Sequence, residues 1–328
     1  MPIFRAFALV LTAIMFCSSI AAAAEAPRVF PIAAAPVLED RFPAEPVMFP
    51  HGVKAWRDVV YQTVPGYRPQ IVDVYVPATS GPHPLVLYIH GGGWTSGHTR
   101  HSGAFADFPA VLASLASEGF TVASLEYRLS GEARFPAQLQ DANAAVRFLR
   151  AHAEQYRIDP ARVGVWGGSA GGHLTALAAL TCRNTALDPA AAHDDCVQAA
   201  VTWYGVFDFA RMAAVARGGD NAMGKLLGCE GPCPDDRIRA VSPVTYIGPG
   251  APPFLLIHGE DDKTVPVEQS HIAEAALKKA GAPVASIYIK GVDHSFIGKT
   301  PQATREASLT AINATFDFFH AQLQVPRK

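Results

Sequence analysis

Apolar residues along this chain come in two rhythms. Short, mostly apolar runs at 84–89, 120–125, 197–206, 253–258 and 285–289 alternate with amphipathic stretches at 108–118, 135–156, 267–280 and 306–323. A short apolar run suits a strand covered on both faces, and a 3.6-residue rhythm suits a helix with one buried stripe. Strands alternating with helices predict an α/β domain, a mostly parallel sheet with helices on both faces. Two earlier runs, 54–64 and 71–76, flank Pro65-Gly66 and predict a hairpin. Asp159-Pro160 reads as the start of a short turn, with Asp159 as cap and Pro160 at the first helical position. The pattern is weakest at 183–195 and 211–250, where a small lid could form. No internal repeat is visible.

The first residues break this rhythm. Arg5, an apolar stretch at 6–20 and four alanines at 21–24 have the order of a secretory signal peptide, with cleavage expected near Ala24 or Ala26. Residues 25–50 are rich in alanine and proline and read as an extended leader, so 51–328 is expected to be the folded catalytic domain. About 300 residues suit one large α/β domain. The formal charge is −2, becoming −3 once Arg5 leaves, and no basic tract occurs, so nucleic acid and anionic membrane are not expected partners. Four cysteines remain, Cys182, Cys196, Cys229 and Cys233. An even count in an exported chain reads as disulfides, and proximity favours Cys182–Cys196 and Cys229–Cys233.

Chemistry concentrates where the run 162–166 meets the apolar stretch 173–180. Between them lies Gly167-Gly168-Ser169-Ala170-Gly171-Gly172, one serine among four glycines and an alanine. A strand that turns directly into a helix bends sharply. Small neighbours let the backbone pack closely and push the Ser169 hydroxyl into the open. A serine hydroxyl is a poor nucleophile, so it needs a base and a group to orient that base, and on such a sheet these follow in the order acid, then histidine. After the run at 253–258 the chain reads His258-Gly259-Glu260-Asp261-Asp262, where three carboxylates compete. Glu260 and Asp261 read as solvated. Asp262 is the choice for the acid, with helix capping as its bland alternative.

Among twelve histidines, His294 follows the last strand-like run and the acid. His152, His271 and His320 lie on helices and are expected at the surface. His173 reads as a packing residue, and His258 as a stiffener of its loop. His98 and His101 form an H-x-x-H pair without further ligands, so neither metal nor cofactor is expected. The oxyanion of an acyl-transfer intermediate needs fixed backbone N–H groups. His90-Gly91-Gly92-Gly93-Trp94, after an early strand, fits this need. Gly92, Gly93 and Ala170 are assigned to that hole, with His90 and Trp94 bracing the loop and Trp94 a possible pocket wall.

Together, His90 to Trp94, Glu126-Tyr127-Arg128-Leu129-Ser130, Gly167 to Leu174, His258 to Pro266 and His294 resemble the α/β-hydrolase esterases. Within these the chain is similar to the bacterial feruloyl/acetyl-xylan-type esterase group, a neighbour of the hormone-sensitive-lipase family. The resemblance runs from about residue 55 to 324. It implies an α/β-hydrolase fold with a mostly parallel eight-stranded sheet and a minimal lid. It places the nucleophile on Ser169, the acid on Asp262 and the base on His294. Hormone-sensitive-lipase relatives usually carry Asp before the serine, where this chain has Gly168, and the long helical cap of those relatives is missing. The expected activity is hydrolysis of short-chain or aryl esters, including polysaccharide-linked ones, by an exported enzyme. An arylformamidase, amidase or peptidase on the same fold, and a non-catalytic binding module, are the alternatives.

Overall fold

The computed structural model describes residues 45–191, 195–212 and 221–326. The stretch 1–24, expected to be a signal peptide, and most of 25–50, read as a leader, lie outside these residues. One sheet collects nine strands: β1 Val47–Met48, β2 Lys54–Gln62, β3 Gln70–Val76, β4 His83–Ile89, β5 Thr121–Leu125, β6 Ile158–Gly168, β7 Ala199–Trp203, β8 Phe254–Gly259 and β9 Val284–Ile289. Their order is β1-β2-β3-β5-β4-β6-β7-β8-β9. From β1 to β5 neighbours pair antiparallel, and from β5 to β9 every pair is parallel. The 54–64 and 71–76 runs do form antiparallel neighbours. The expected eight strands become nine because the two-residue β1 adds to the edge of β2.

Every residue of β4, β5, β7 and β8 is buried. That is why these strands read as apolar runs without alternation: both faces of the sheet are covered. Leu85, Leu87 and Ile89 of β4 face one core, and Val86 and Tyr88 face the other. The second core belongs to α1 (Phe108–Ser117) and α7 (Pro301–Gln322). The first belongs to α2 (Ala137–Ala151), α3 (Ala170–Leu180) and α6 (Glu268–Lys279). Two short helices, α4 (Ala222–Leu227) and α5 (Asp235–Val241), occupy part of the 211–250 stretch and pack against the α3 side.

Two sequence expectations give way. Asp159 and Pro160 lie inside β6, next to a register irregularity opposite Pro84, rather than at a helix start. Asp159 does accept from the Ala161 N–H at 3.0 Å, so the local cap exists, but strand pairing takes the chain onward. The helix expected over 135–156 spans only Ala137–Ala151. His320 also departs from expectation. It is buried, with Nδ1 donating to the Val325 carbonyl at 2.8 Å and Nε2 2.6 Å from Glu118. Its apolar surroundings on α7 hide it, although its type suggests a surface residue.

Both disulfides form as proximity suggested, Cys182–Cys196 and Cys229–Cys233. Buried Asp73 on β3 ties down the loop that follows β4. It accepts from Thr99 Oγ1 at 3.0 Å and from Arg100 Nε at 2.8 Å. No helix among the described residues is long and apolar enough to cross a membrane.

Candidate active site

The parallel strands β4, β6, β8 and β9 all end on one side of the sheet, and the candidate site is assembled from the loops that leave those ends. Ser169 stands between β6 and α3 at φ 57° and ψ −121°. A non-glycine residue holds a positive φ only where the surroundings force it. The surroundings here are glycines. A Cβ on Gly171 would run into the Ile89 carbonyl, and one on Gly167 would lie 2.5 Å from the Gly171 oxygen. Thus α3 starts backbone-on-backbone against the end of β4. The Ser169 N–H donates to the Trp203 carbonyl at 2.9 Å, which anchors the turn to β7.

His294 follows β9 and brings its ring to the serine. The Ser169 hydroxyl lies 2.9 Å from His294 Nε2, and His294 Nδ1 lies 2.7 Å from Asp262 Oδ2. Hydrogen on Nδ1 satisfies the carboxylate and leaves Nε2 to accept from the serine. The Asp262 side chain is fully buried, whereas His294 keeps 20% of its side chain exposed. Asp262 Oδ1 accepts from the N–H groups of Thr264 (2.9 Å) and Val265 (2.8 Å), so the same carboxylate also caps its loop. Burial alone would raise the Asp262 pKa. Hydrogen bonds from His258, His294 and the Val265 N–H outweigh it and hold the group below the usual carboxylate range. Glu260 and Asp261 are exposed, as their reading as solvated residues required.

The glycine loop after β4 closes on the serine. A Cβ on Gly91 would lie 2.9 Å from the Gly168 oxygen and 3.5 Å from Ser169 Cβ. Gly92, Gly93 and Trp94 all have positive φ, at 105°, 61° and 58°. Glycine suits the first two, and a Cβ on Gly92 would strike the Ser96 carbonyl. Among the described residues no backbone carbonyl takes the N–H of Gly92 or Gly93. Ala170 is the first residue of α3, so its N–H has no intrahelical acceptor either. Trp94 is buried, and its indole N–H donates to His173 Nδ1 at 3.1 Å. His173 Nε2 in turn donates to the Val241 carbonyl at 2.8 Å. Burial lowers the His173 pKa to about 4, which keeps this bridge neutral. His90 is buried beneath the loop, stacked on Tyr127 with ring centroids 4.3 Å apart, and burial lowers its pKa to about 4 as well.

Three contributors escaped the sequence reading. Asp293 Oδ1 accepts from the N–H groups of Lys263 (2.9 Å) and His294 (2.7 Å), tying the acid loop to the base loop. Its place directly before His294 was the only signal. Tyr204 has φ 39° and sits edge-on to the His294 ring, centroids 4.7 Å apart. Its ring lies where a Gly168 side chain would go, 3.0 to 3.2 Å from that Cβ. His258 reaches Asp262 from the end of β8, with Nε2 3.4 Å from Oδ2. The His98 and His101 rings are 6.1 Å apart. The possible metal-ligand group found among the described residues is Cys182, Asp195 and Cys196, whose sulfurs are joined in the disulfide.

Comparison with known proteins gives a consistent result. The BD-FAE family model matches residues 72–277. A probable carboxylic ester hydrolase, LipM, of Mycobacterium tuberculosis is 32% identical over 221 residues, covering 66% of this chain and 50% of its own length. Esterase LipQ of the same organism is 32% identical over 234 residues, covering 68% of this chain and 53% of its own. The chain therefore spans about half the length of these curated relatives. Among solved structures, a truncated carbohydrate esterase from gut microbiota superposes with TM-score 0.70 at 28% identity, over 82% of this chain and 96% of the other. A propionate-bound thermophilic esterase from Thermogutta terrifontis gives TM-score 0.67 at 25% identity, over 83% and 96%.

Proposed function

Because the chain belongs to the BD-FAE family of α/β-hydrolase esterases, we propose that it hydrolyses carboxylic esters through Ser169, His294 and Asp262. The observation that carries this reading is the unbroken line of hydrogen bonds from Ser169 Oγ through His294 to Asp262. The Ser169 oxygen attacks the ester carbonyl carbon while its proton passes to His294 Nε2. The oxyanion that forms is held by the N–H groups of Gly92, Gly93 and Ala170. As the carbon–oxygen bond to the alcohol breaks, His294 gives its proton to the departing oxygen, leaving the acyl group on Ser169. Water then attacks the acyl carbon and loses a proton to His294, which returns it to Ser169 as the acid departs. Throughout, Asp262 keeps the imidazole in the tautomer with hydrogen on Nδ1 and stabilises its cation.

The substrates proposed are short-chain or aryl esters, free or linked to polysaccharide. Support comes from the propionate-bound and carbohydrate-esterase neighbours. The test is turnover of p-nitrophenyl acetate, butyrate and octanoate, with feruloyl esters and acetylated xylan alongside. Acetate and butyrate should be cleaved faster than octanoate. Ser169→Ala should lower kcat on all of them by about 10⁴-fold or more. Turnover that survives Ser169→Ala would sink the reading, and a preference for octanoate would sink the short-chain part. Export is proposed too, supported by the two disulfides, which persist in oxidising compartments.

A further inference from the structure

Asp262 Oδ2 has a second imidazole beside it. His258, the penultimate residue of β8, is fully buried. Its Nε2 lies 2.8 Å from the Val265 carbonyl and 3.4 Å from Asp262 Oδ2. Its Nδ1 lies 2.7 Å from Ser270 Oγ on α6. Carbonyl and carboxylate oxygens only accept, so Nε2 carries the hydrogen, donates it to the Val265 carbonyl and keeps its positive end 3.4 Å from Asp262 Oδ2. The Ser270 hydroxyl then donates to Nδ1, and a neutral ring satisfies every neighbour. One ring thus touches a strand end, the acid loop and the first turns of a helix.

Both oxygens of the acid depend on this ring. Oδ2 meets His258 directly. Oδ1 is held in part by the Val265 N–H, and the carbonyl of that same residue is what His258 grips. A ring placed only to fill space would be served by leucine or phenylalanine, without the cost of burying two nitrogens. We propose that His258 is a positioning residue for ester hydrolysis: it keeps Asp262 Oδ2 aimed at His294 and draws off part of its negative charge. The proposal rests on the Ser169–His294–Asp262 reading.

The expected consequence has a definite sign. Without the His258 N–H beside Oδ2, the Asp262 charge concentrates towards His294 and favours the imidazolium. The base then stays protonated to higher pH, and the acid limb of the kcat/KM profile moves up. The other polar groups around Asp262 are His294 and Asp293 after β9, Tyr204 after β7, Lys263 on the acid loop and Ser270 on α6. All of them remain when residue 258 alone is changed.

The experiment is a pH profile of kcat and KM for p-nitrophenyl acetate with His258→Leu and His258→Gln. His258→Leu should lose about tenfold to a hundredfold in kcat with KM changed less than about threefold. Its acid limb should rise by roughly half a pH unit to one unit. Glutamine can present an N–H donor where Nε2 stood, so His258→Gln should recover most of the loss. A leucine variant that folds but keeps the wild-type limb, or a glutamine variant no better than leucine, overturns the proposal. If His258→Leu does not fold, Ser270→Ala tests the same ring from its other nitrogen: a raised acid limb supports the proposal and an unmoved one overturns it. Turnover by the wild type that survives Ser169→Ala is a different result, and it removes the triad reading itself.

Discussion

Gly168 shows how one side chain can stand in for another. Relatives in the hormone-sensitive-lipase group usually place Asp before the nucleophile, and here the position is bare. The space is filled from just after β7, by the ring of Tyr204, which also sits edge-on to His294. A side chain at 168 therefore presses on the Tyr204 ring at 3.0 to 3.2 Å, and one of the two must shift. Gly168→Asp should displace the ring, disturb His294 and lower kcat by at least about tenfold, in line with the cost of overpacking a tight site. Adding Tyr204→Ala in the same chain should restore part of that loss. Steady-state kinetics on the single and double variants measure this, and additive losses would show that the two positions are independent. Ser169, Asp262 and His294 were legible because each follows an apolar run that had to be a strand. Tyr204, Asp293 and the reach of His258 to Asp262 were not, because they depend on loops from different strands meeting in space.

At the scale of elements, strands and helices could be read from their apolar patterns because the sheet is covered on both faces. The misreading at Asp159-Pro160 shows the limit. Asp159 reads as a helix cap; in the structure it accepts from the Ala161 N–H, but pairing of β6 with β4 decides the conformation. The disulfide Cys182–Cys196 staples the end of α3 to the approach of β7, across 14 residues of sequence. Around it Arg147 of α2 pairs with Asp188 at 2.9 Å and lies 3.5 Å from Asp195. Replacing both cysteines by alanine should lower unfolding stability by about 3 kcal/mol, the loop-closure value for a ring of this length. Urea unfolding monitored by tryptophan fluorescence checks it, and an unchanged midpoint would mean that the ion pairs already constrain the loop. The serine turn lies at the other end of α3, so kcat should fall much less than stability.

Across the whole molecule, the sheet divides its labour. Its antiparallel half, β1 to β3 and β5, carries the Asp73 anchor, and its parallel half presents the candidate site at strand ends. An uncharged acyl group leaves no mark on net charge, so turnover rather than composition reads the ester. Export is the property proposed at this scale. A chain expressed with residues 1–24 intact in a bacterial host with a general secretion pathway should be recovered outside the cytoplasm, beginning near residue 25 by N-terminal sequencing. Recovery of uncleaved protein from the cytoplasm would count against it. The described site also has an order built into it. Ser169 lies 125 residues before His294, and the loop bearing His294 leaves β9, the strand at the edge of the sheet. A ribosome making this chain therefore releases Ser169 long before His294, the base proposed for it. Until β9 and the loop after it are in place, Ser169 stands without His294, so the proposed hydrolysis waits for the edge strand of the sheet to dock.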